Sequence, residues 1–163
     1  MWRTIAAVHA VALALACAPA RETRSACDGL PRYPDTGLPR QVFLPCAAEM
    51  AAALDLVRLD LEAALSGERQ AFDRAGRKLR EVDALRAKAG GRAKLLSRWD
   101  DRALNDVNLD IENSYNLFHG VWQMNSYYGR GAAASVLREK SRPDVESGRQ
   151  HLESAKRTLA RLR

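Results

Sequence analysis

The sequence predicts an all-α fold, an up-down bundle of about four main amphipathic helices. In four segments, apolar residues recur at alternating intervals of three and four, which places them on one face of a helix. No segment alternates with a period of two over a useful length, which argues against a β-sheet. Short connections favour antiparallel neighbours, and an apolar share of 47% is sufficient for a core.

The first two helices are separated by Ser66 and Gly67. The first is predicted to begin at Cys46, and its apolar stripe consists of Met50, Leu54, Val57, Leu61 and Ala64. The stripe of the second consists of Phe72, Ala75, Leu79 and Val82. Gly90 and Gly91 then break the chain, because adjacent glycines disfavour a helix.

The third helix is predicted from about Arg92 to Tyr128, with a kink near Ser97, where a capping box restarts it. Its stripe consists of Leu104, Val107, Ile111, Ser114, Phe118, Val121, Asn125 and Tyr128. A short helix over 132–140 and a separate last helix from Pro143 follow, since proline suits a first helical turn. The last stripe consists of Val145, Gly148, Leu152, Ala155, Leu159 and Leu162.

The distribution of charge supports this packing. Residues 103–119 contain acidic side chains but no Lys or Arg. In residues 68–102 and 130–163, Lys and Arg together outnumber the acidic side chains. We expect the acidic segment to pair with its two basic neighbours. Exposed pairs of this kind contribute only about 0–1 kcal/mol each, so they guide the register more than they stabilise the fold.

The first residues have the pattern of an export signal. Arg3 precedes an uncharged, largely apolar stretch over 5–16, which is shorter than the roughly 20 residues that a transmembrane helix needs. We therefore expect residues 1–16 to be a signal peptide, residues 17–45 a lipidated tether and residues 46–163 the helical domain. The tether is rich in proline, which argues against helix there.

Two cleavage sites fit this signal. Residues 14–17 (ALAC) resemble the bacterial lipobox, in which the cysteine becomes the lipid-bearing first residue of the mature chain. Residues 18–20 (APA) fit an ordinary signal peptidase, whose cut would release a soluble protein. The lipobox predicts lipidation of Cys17. Ala18 differs from the Asp that retains lipoproteins at the inner membrane of enteric bacteria, so we expect an outer-membrane anchor facing the periplasm.

The three cysteines agree with lipidation, because an odd cysteine in an exported protein needs an explanation. If Cys17 carries lipid, Cys27 and Cys46 remain as a pair in an oxidising compartment and are expected to form a disulfide. Such a bridge would close a loop of roughly 20 residues and stabilise the fold by about 3 kcal/mol. In the alternative, the pair stays reduced, or all three cysteines belong to a cytosolic protein.

The net charge of +6 can favour anionic partners. The basic residues, however, are 21 Arg and 5 Lys, a balance typical of GC-rich codon usage rather than of phosphate recognition. An exported protein meets little nucleic acid. We therefore expect the membrane, through the lipid, and an envelope protein or an anionic envelope polymer as partners.

Residues 100–128 combine aromatic and amide side chains and form the candidate partner surface. Tyr115, Trp122 and Tyr127 are its candidate contact residues, since aromatic side chains are enriched in interfaces. The alternative is a core stripe, because aromatic side chains also carry a large apolar area into bundles.

Three further residues of this segment interrupt its pattern. Ser114 and Asn125 lie on the apolar stripe and predict a polar pocket or a device that fixes helix register. Gly120, next to His119, predicts a position at which another element packs closely.

No motif indicates catalysis, a metal site or a cofactor. Residues 106–110 (DVNLD) begin like a calcium-binding loop, but Ile111 stands where the loop requires glycine. Met50 and His151 imitate the ligands of a haem-binding bundle without a supporting motif. The sequence therefore predicts an envelope lipoprotein with a non-enzymatic helical binding or scaffolding domain. The alternatives are a soluble periplasmic carrier of a small ligand or haem, and an enzyme without a recognisable motif.

Overall fold

The computed structural model describes residues 24–28, 40–68, 70–88, 101–129, 131 and 133–163. These residues form four α-helices and no strand. The helices are α1 (Arg40–Leu65), α2 (Ala71–Lys88), α3 (Arg102–Tyr128) and α4 (Ala133–Leu162). The predicted all-α class with four main helices is thus confirmed for this part of the chain. The predicted signal peptide, most of the tether and the kink near Ser97 lie outside the described residues.

Successive helices run antiparallel around one core. α1 packs against the other three helices, α3 packs against α2 and α4, and the described parts of α2 and α4 do not touch. Asn125, near the end of α3, bonds to Ser141 near the start of α4. Ser114, in the middle of α3, donates to the carbonyl of Gly148. Because α1 touches α3 whereas α2 and α4 do not touch, α1 and α3 lie across the short diagonal of the bundle.

The buried residues confirm the predicted apolar stripes. Those stripe residues that are buried are Met50, Leu54, Val57, Leu61, Ala64, Ala75, Leu79, Val82, Leu104, Val107, Ile111, Ser114, Phe118, Val121, Asn125, Val145, Gly148, Leu152, Ala155 and Leu159. Phe72 and Leu162 are partly buried and pack against this core. Tyr128 departs from the prediction, because it lies in the last turn of α3 and is exposed.

Helix α1 begins earlier than predicted. The expectation that no helix forms before Cys46 is wrong for residues 40–45, which are helical and include Pro45. A proline this close to a helix N-terminus removes only one backbone hydrogen bond. Phe43 is fully buried in the core, and its burial offsets that loss.

Helix α4 is continuous where two helices were predicted. Pro143 lies inside it, so the expected break before Pro143 is wrong. The proline ring is exposed, and the preceding turn is held by Ser141, which is buried. The Ser141 hydroxyl donates to the Leu137 carbonyl and accepts from Asn125 on α3. These contacts hold the first part of α4 against α3 despite the missing backbone donor.

Both ends of α3 are defined by capping residues. The carboxylate of Asp101 accepts a hydrogen bond from the backbone N–H of Leu104 at 3.1 Å, as a helix N-cap does. At the other end, Gly129 follows the last helical residue, as predicted.

A short N-terminal turn over 24–28 is fastened to the bundle by a disulfide between Cys27 and Cys46. Both cysteines are fully buried, so the predicted pairing is also part of the core. The Ser25 hydroxyl and the Ala26 backbone N–H both donate to the Glu49 carboxylate, at 3.0 and 2.6 Å. The disulfide joins the turn before α1 to the second turn of α1, and the two hydrogen bonds to Glu49 reinforce this attachment. None of the described helices is both long and apolar enough to cross a bilayer.

Candidate functional site

The outward face of α3 is exposed and uncharged over about five turns. We call it the amide face; its residues, spaced alternately by four and three, are Leu109, Asn113, Asn116, Gly120, Gln123 and Tyr127. Leu109 is 58% exposed and Tyr127 is 66% exposed. Solvated helix faces usually carry charged side chains, and 28% of this chain is charged. A face of amide, apolar and aromatic groups is the composition that interface centres favour.

The acidic side chains of this part of α3 lie on its two flanks. Towards α4, the Asp110 carboxylate lies 2.8 Å from Nδ1 of His151. Towards α2, Glu112 receives two hydrogen bonds from the guanidinium of Arg86, at 2.8 and 3.2 Å. The predicted pairing with the basic neighbour over 68–102 is confirmed by Arg86, whereas on the other side Asp110 meets a histidine rather than a Lys or Arg of residues 130–163. The result of these contacts is that both charges are turned away from the amide face.

The flank towards α2 is built around Tyr115. The guanidinium carbon of Arg86 lies 3.8 Å from the centre of the Tyr115 ring, within the range of a cation–π contact. The phenol donates a 2.6 Å hydrogen bond to the Asp83 carboxylate. Burial, reinforced by that acceptor, raises the pKa of Tyr115 to about 12. Tyr115 therefore keeps its proton at neutral pH and acts as a fixed donor between α2 and α3.

Aromatic rings continue along the same flank. The imidazole of His119 stacks on Tyr115 with ring centres 5.6 Å apart, and Trp122 lies 5.7 Å beyond it, tilted by 47°. The indole fits against Gly76 of α2, where any Cβ atom would overlap it. These rings fill the space between two helices that otherwise touch little, and they fix the distance of α2 from α3.

The structure separates the three predicted contact residues. Tyr127 lies on the amide face. Tyr115 and Trp122 lie on the flank towards α2, where Tyr115 is only 7% exposed and Trp122 is partly buried. Tyr127 is thus available to a partner, Trp122 is available only in part, and Tyr115 mainly supports the packing of α2. Sequence reasoning alone gave no sign of Arg86, which orders this flank.

Gly120 is the residue of the amide face that sequence reasoning interpreted incorrectly. Close packing was expected there, but a Cβ atom at Gly120 would meet nothing within 4 Å. The helical glycines that do allow close contact are Gly76, against Trp122, and Gly148, against Phe118. A glycine within a helix destabilises it by about 1 kcal/mol relative to alanine. Nothing in the described part of the chain explains why α3 carries that cost at Gly120.

The residues of the other candidate sites make packing contacts or hydrogen bonds within the bundle. His151 of the haem hypothesis bonds to Asp110, and Met50 is fully buried in α1. Within the described part of the chain, no three His, Cys, Asp or Glu side chains form a group that could hold a metal ion. Ser114 donates to the carbonyls of Asp110 and Gly148, so it joins α3 to α4 rather than opening a pocket.

Comparison with known proteins identifies no relative. The chain matches no protein-family model, no curated protein sequence and no solved structure. The function must therefore be inferred from the chemistry of the chain itself.

Proposed function

We propose that this chain is an exported bacterial envelope lipoprotein whose helical bundle is a non-enzymatic binding domain for an envelope protein. The observation that carries the proposal is the disulfide between Cys27 and Cys46. Disulfides form and persist in oxidising compartments, which supports export. Of the three cysteines, the bridge leaves Cys17 alone, at the position where the lipobox-like residues 14–17 place the lipid. The lipid would attach the chain to the outer membrane.

The amide face is the proposed contact surface for the partner. It offers amide groups for hydrogen bonding and a tyrosine and a leucine for apolar contact. It carries no cationic side chain, so it suits an uncharged protein surface better than an anionic envelope polymer. Tyr127, at the end of this face, is the proposed principal contact, because exposed aromatic rings dominate the energy of many interfaces.

The intact mass of the processed protein tests the anchor. When the full chain is produced in a bacterium, we expect a mature protein that begins at Cys17 and carries the added mass of lipid. Reductant should raise its mass by that of two hydrogen atoms. The matched control is Cys17→Ser, which keeps the disulfide but should not be lipidated. A chain that retains Met1 in the cytosol would contradict export, and an unlipidated chain beginning at Arg21 would favour the soluble alternative.

The variant Gly120→Ala tests the amide face. We expect it to raise the free energy of unfolding by about 1 kcal/mol, because alanine favours helix and the added methyl meets no atom. The same variant should weaken recovery of the envelope partner, since its methyl group would hold a closely approaching surface away. Chemical denaturation and crosslinking in intact cells measure the two effects.

Two further variants control this experiment. Tyr127→Ala should remove the same crosslinked partner without raising stability. Ala52→Gly, at an exposed position within α1, should lower stability by about 1 kcal/mol and leave the partner unchanged. If Gly120→Ala and Tyr127→Ala both retain the partner in full, the amide face is not the contact surface.

A further inference from the structure

The end of the bundle formed by the first turn of α1 and the last turns of α4 is basic. Residues 154–163 contain four basic side chains and no acidic one. Arg157 and Arg161 lie one turn apart on the exposed face of α4. Arg40, the first residue of α1, is also exposed, and its guanidinium donates to the Leu162 carbonyl at 2.9 Å. We call Arg40, Arg157 and Arg161 the basic end.

The arginines of the basic end are not neutralised by a partner. Within the described residues none of the three forms an ion pair, and Arg40 and Arg161 bond instead to uncharged oxygen atoms of Leu162 and Thr158. At the opposite end of the bundle, by contrast, arginines of α2 and α4 are paired with glutamates. The two ends of the bundle therefore differ in their exposed charge.

The acidic side chains near the basic end do not cancel its charge. Asp28 is already paired with Lys88 at 2.6 Å. On α3, Asp101 caps the helix and is followed by Arg102, so their charges balance. Asp106 is exposed, but one carboxylate offsets only one of the three arginines. The basic end therefore keeps a net positive charge.

The N-terminal segment is attached to the bundle near the same end. Cys46 lies about 9 Å along the helix axis from Arg40 and about 29 Å from Leu65. Because of the disulfide, only the chain from Cys17 to Cys27 separates the proposed lipid from the bundle, and it spans at most about 35 Å. Without the bridge, this chain would extend to Arg40 and span up to about 80 Å. The bridge thus limits the distance between the lipid and the basic end.

We infer that the basic end lies on the anionic phospholipid surface around the lipid anchor. Its guanidinium groups pair with phosphate oxygens of the head groups. Attraction of this kind fades within about 10 Å of a surface, and the short tether keeps this end of the bundle, rather than the other, within reach. Phospholipid is therefore a better partner for it than an anionic polymer. The inference rests on the proposed function, since the orientation requires a lipid on Cys17, and it leaves Tyr127 on the side of α3 that points away from the membrane.

Vesicle binding by an unlipidated chain tests this surface without the anchor. The Cys17→Ser protein is mixed with phosphatidylcholine vesicles that either contain or lack phosphatidylglycerol, and bound protein is sedimented. Vesicles without phosphatidylglycerol measure any apolar binding by residues 5–16. We expect binding at least about fiftyfold tighter to the anionic vesicles, at roughly fivefold for each arginine, and loss of this preference in high salt.

Matched pairs of arginines show whether the basic end or the net charge is responsible. Arg157→Gln/Arg161→Gln should weaken binding to the anionic vesicles about twentyfold. Arg77→Gln/Arg80→Gln removes the same charge from an exposed face of α2 and should weaken it no more than about twofold. All four arginines are exposed, so both double variants should fold.

The orientation is measured on the lipidated protein in anionic vesicles. A fluorophore is attached at Ala160→Cys or at Val136→Cys, two exposed positions of α4 that are about 36 Å apart along its axis. A quencher on the lipid head groups should quench the label at position 160 more strongly than that at position 136. High salt should reduce the difference.

Three results would overturn the inference: equal binding of Cys17→Ser to both kinds of vesicle, equal losses in the two double variants, or equal quenching at positions 160 and 136. Binding to isolated peptidoglycan that anionic vesicles do not displace would assign the basic end to the polymer instead. The intact mass reports the lipid separately. An unlipidated chain would contradict the anchor and the orientation while leaving vesicle binding by Cys17→Ser intact. A lipidated chain whose Cys17→Ser form prefers neither vesicle would overturn this inference alone.

Discussion

Reduction of the disulfide between Cys27 and Cys46 is expected to lower the free energy of unfolding by about 3 kcal/mol, with a fall in Tm of about 10 °C. The two cysteines are 19 residues apart in sequence. Their bridge restricts the unfolded chain, which otherwise samples many more conformations of this loop. Both cysteines lie in the core, so reduction also requires the core to accommodate two separate thiol groups in place of the disulfide.

Reduction should disorder only the turn over 24–28, even though it lowers the free energy of unfolding of the whole domain. The turn over 24–28 is also attached by hydrogen bonds to Glu49 and by an ion pair between Asp28 and Lys88. These exposed and half-exposed contacts are too weak to hold the turn when the bridge is broken. The four helices should therefore keep their circular dichroism signal in reductant at low temperature, while hydrogen exchange increases near Cys46.

Paired variants separate the bridge from other effects of reductant. The double variant Cys27→Ser/Cys46→Ser should match the reduced protein and should not respond to reductant. Cys17→Ser should respond as the unchanged chain does, because Cys17 is not part of the bridge. Equal stability of the oxidised and reduced proteins would show that the bridge contributes nothing to folding.

The apolar stripes were predictable because they depend only on helical spacing. Met50, Leu54 and Val57 recur at intervals of four and three and are fully buried. The cysteine pair was predictable for a similar reason, since it follows from the odd number of cysteines and from the export that the first residues predict.

The prolines show where local rules fail. Pro45 and Pro143 both lie inside helices. Each removes one backbone hydrogen bond and crowds the carbonyl four residues earlier, and a local rule counts only these losses. Burial of Phe43 and the hydrogen bond between Ser141 and Asn125 offset them, but both depend on neighbouring helices. Tertiary contacts therefore decide these helix boundaries.

The candidate sites were predictable only in part. The sequence indicates the amide and aromatic character of α3, but not which residues face solvent. Tyr115 and Tyr127 have the same chemistry, yet one donates to Asp83 and the other is exposed. The absence of any neighbour at Gly120 arises from the positions of other helices. No sequence pattern encodes such a distance.

Phe118→Ala is expected to lower the free energy of unfolding by about 4 kcal/mol. Phe118 is fully buried and is one of the largest side chains in the core. Its ring lies against Gly148, where any Cβ atom would overlap the ring. Removal of the ring leaves a cavity between α3 and α4 that the hydrogen bond from Ser114 to the Gly148 carbonyl prevents from closing. Chemical denaturation followed by circular dichroism measures the loss.

A double-mutant cycle shows whether the ring and the glycine act as a unit. Gly148→Ala alone should be destabilising by about 1–3 kcal/mol, because its methyl group displaces the Phe118 ring. In the background of Phe118→Ala, the same methyl enters the empty space, so the double variant should lose at least about 1 kcal/mol less than the sum of the single losses. Gly120→Ala is the control, since it adds a methyl to α3 that meets no atom and should be additive with Phe118→Ala. Additive losses for Phe118→Ala and Gly148→Ala would mean that the two helices adjust their separation independently of this contact.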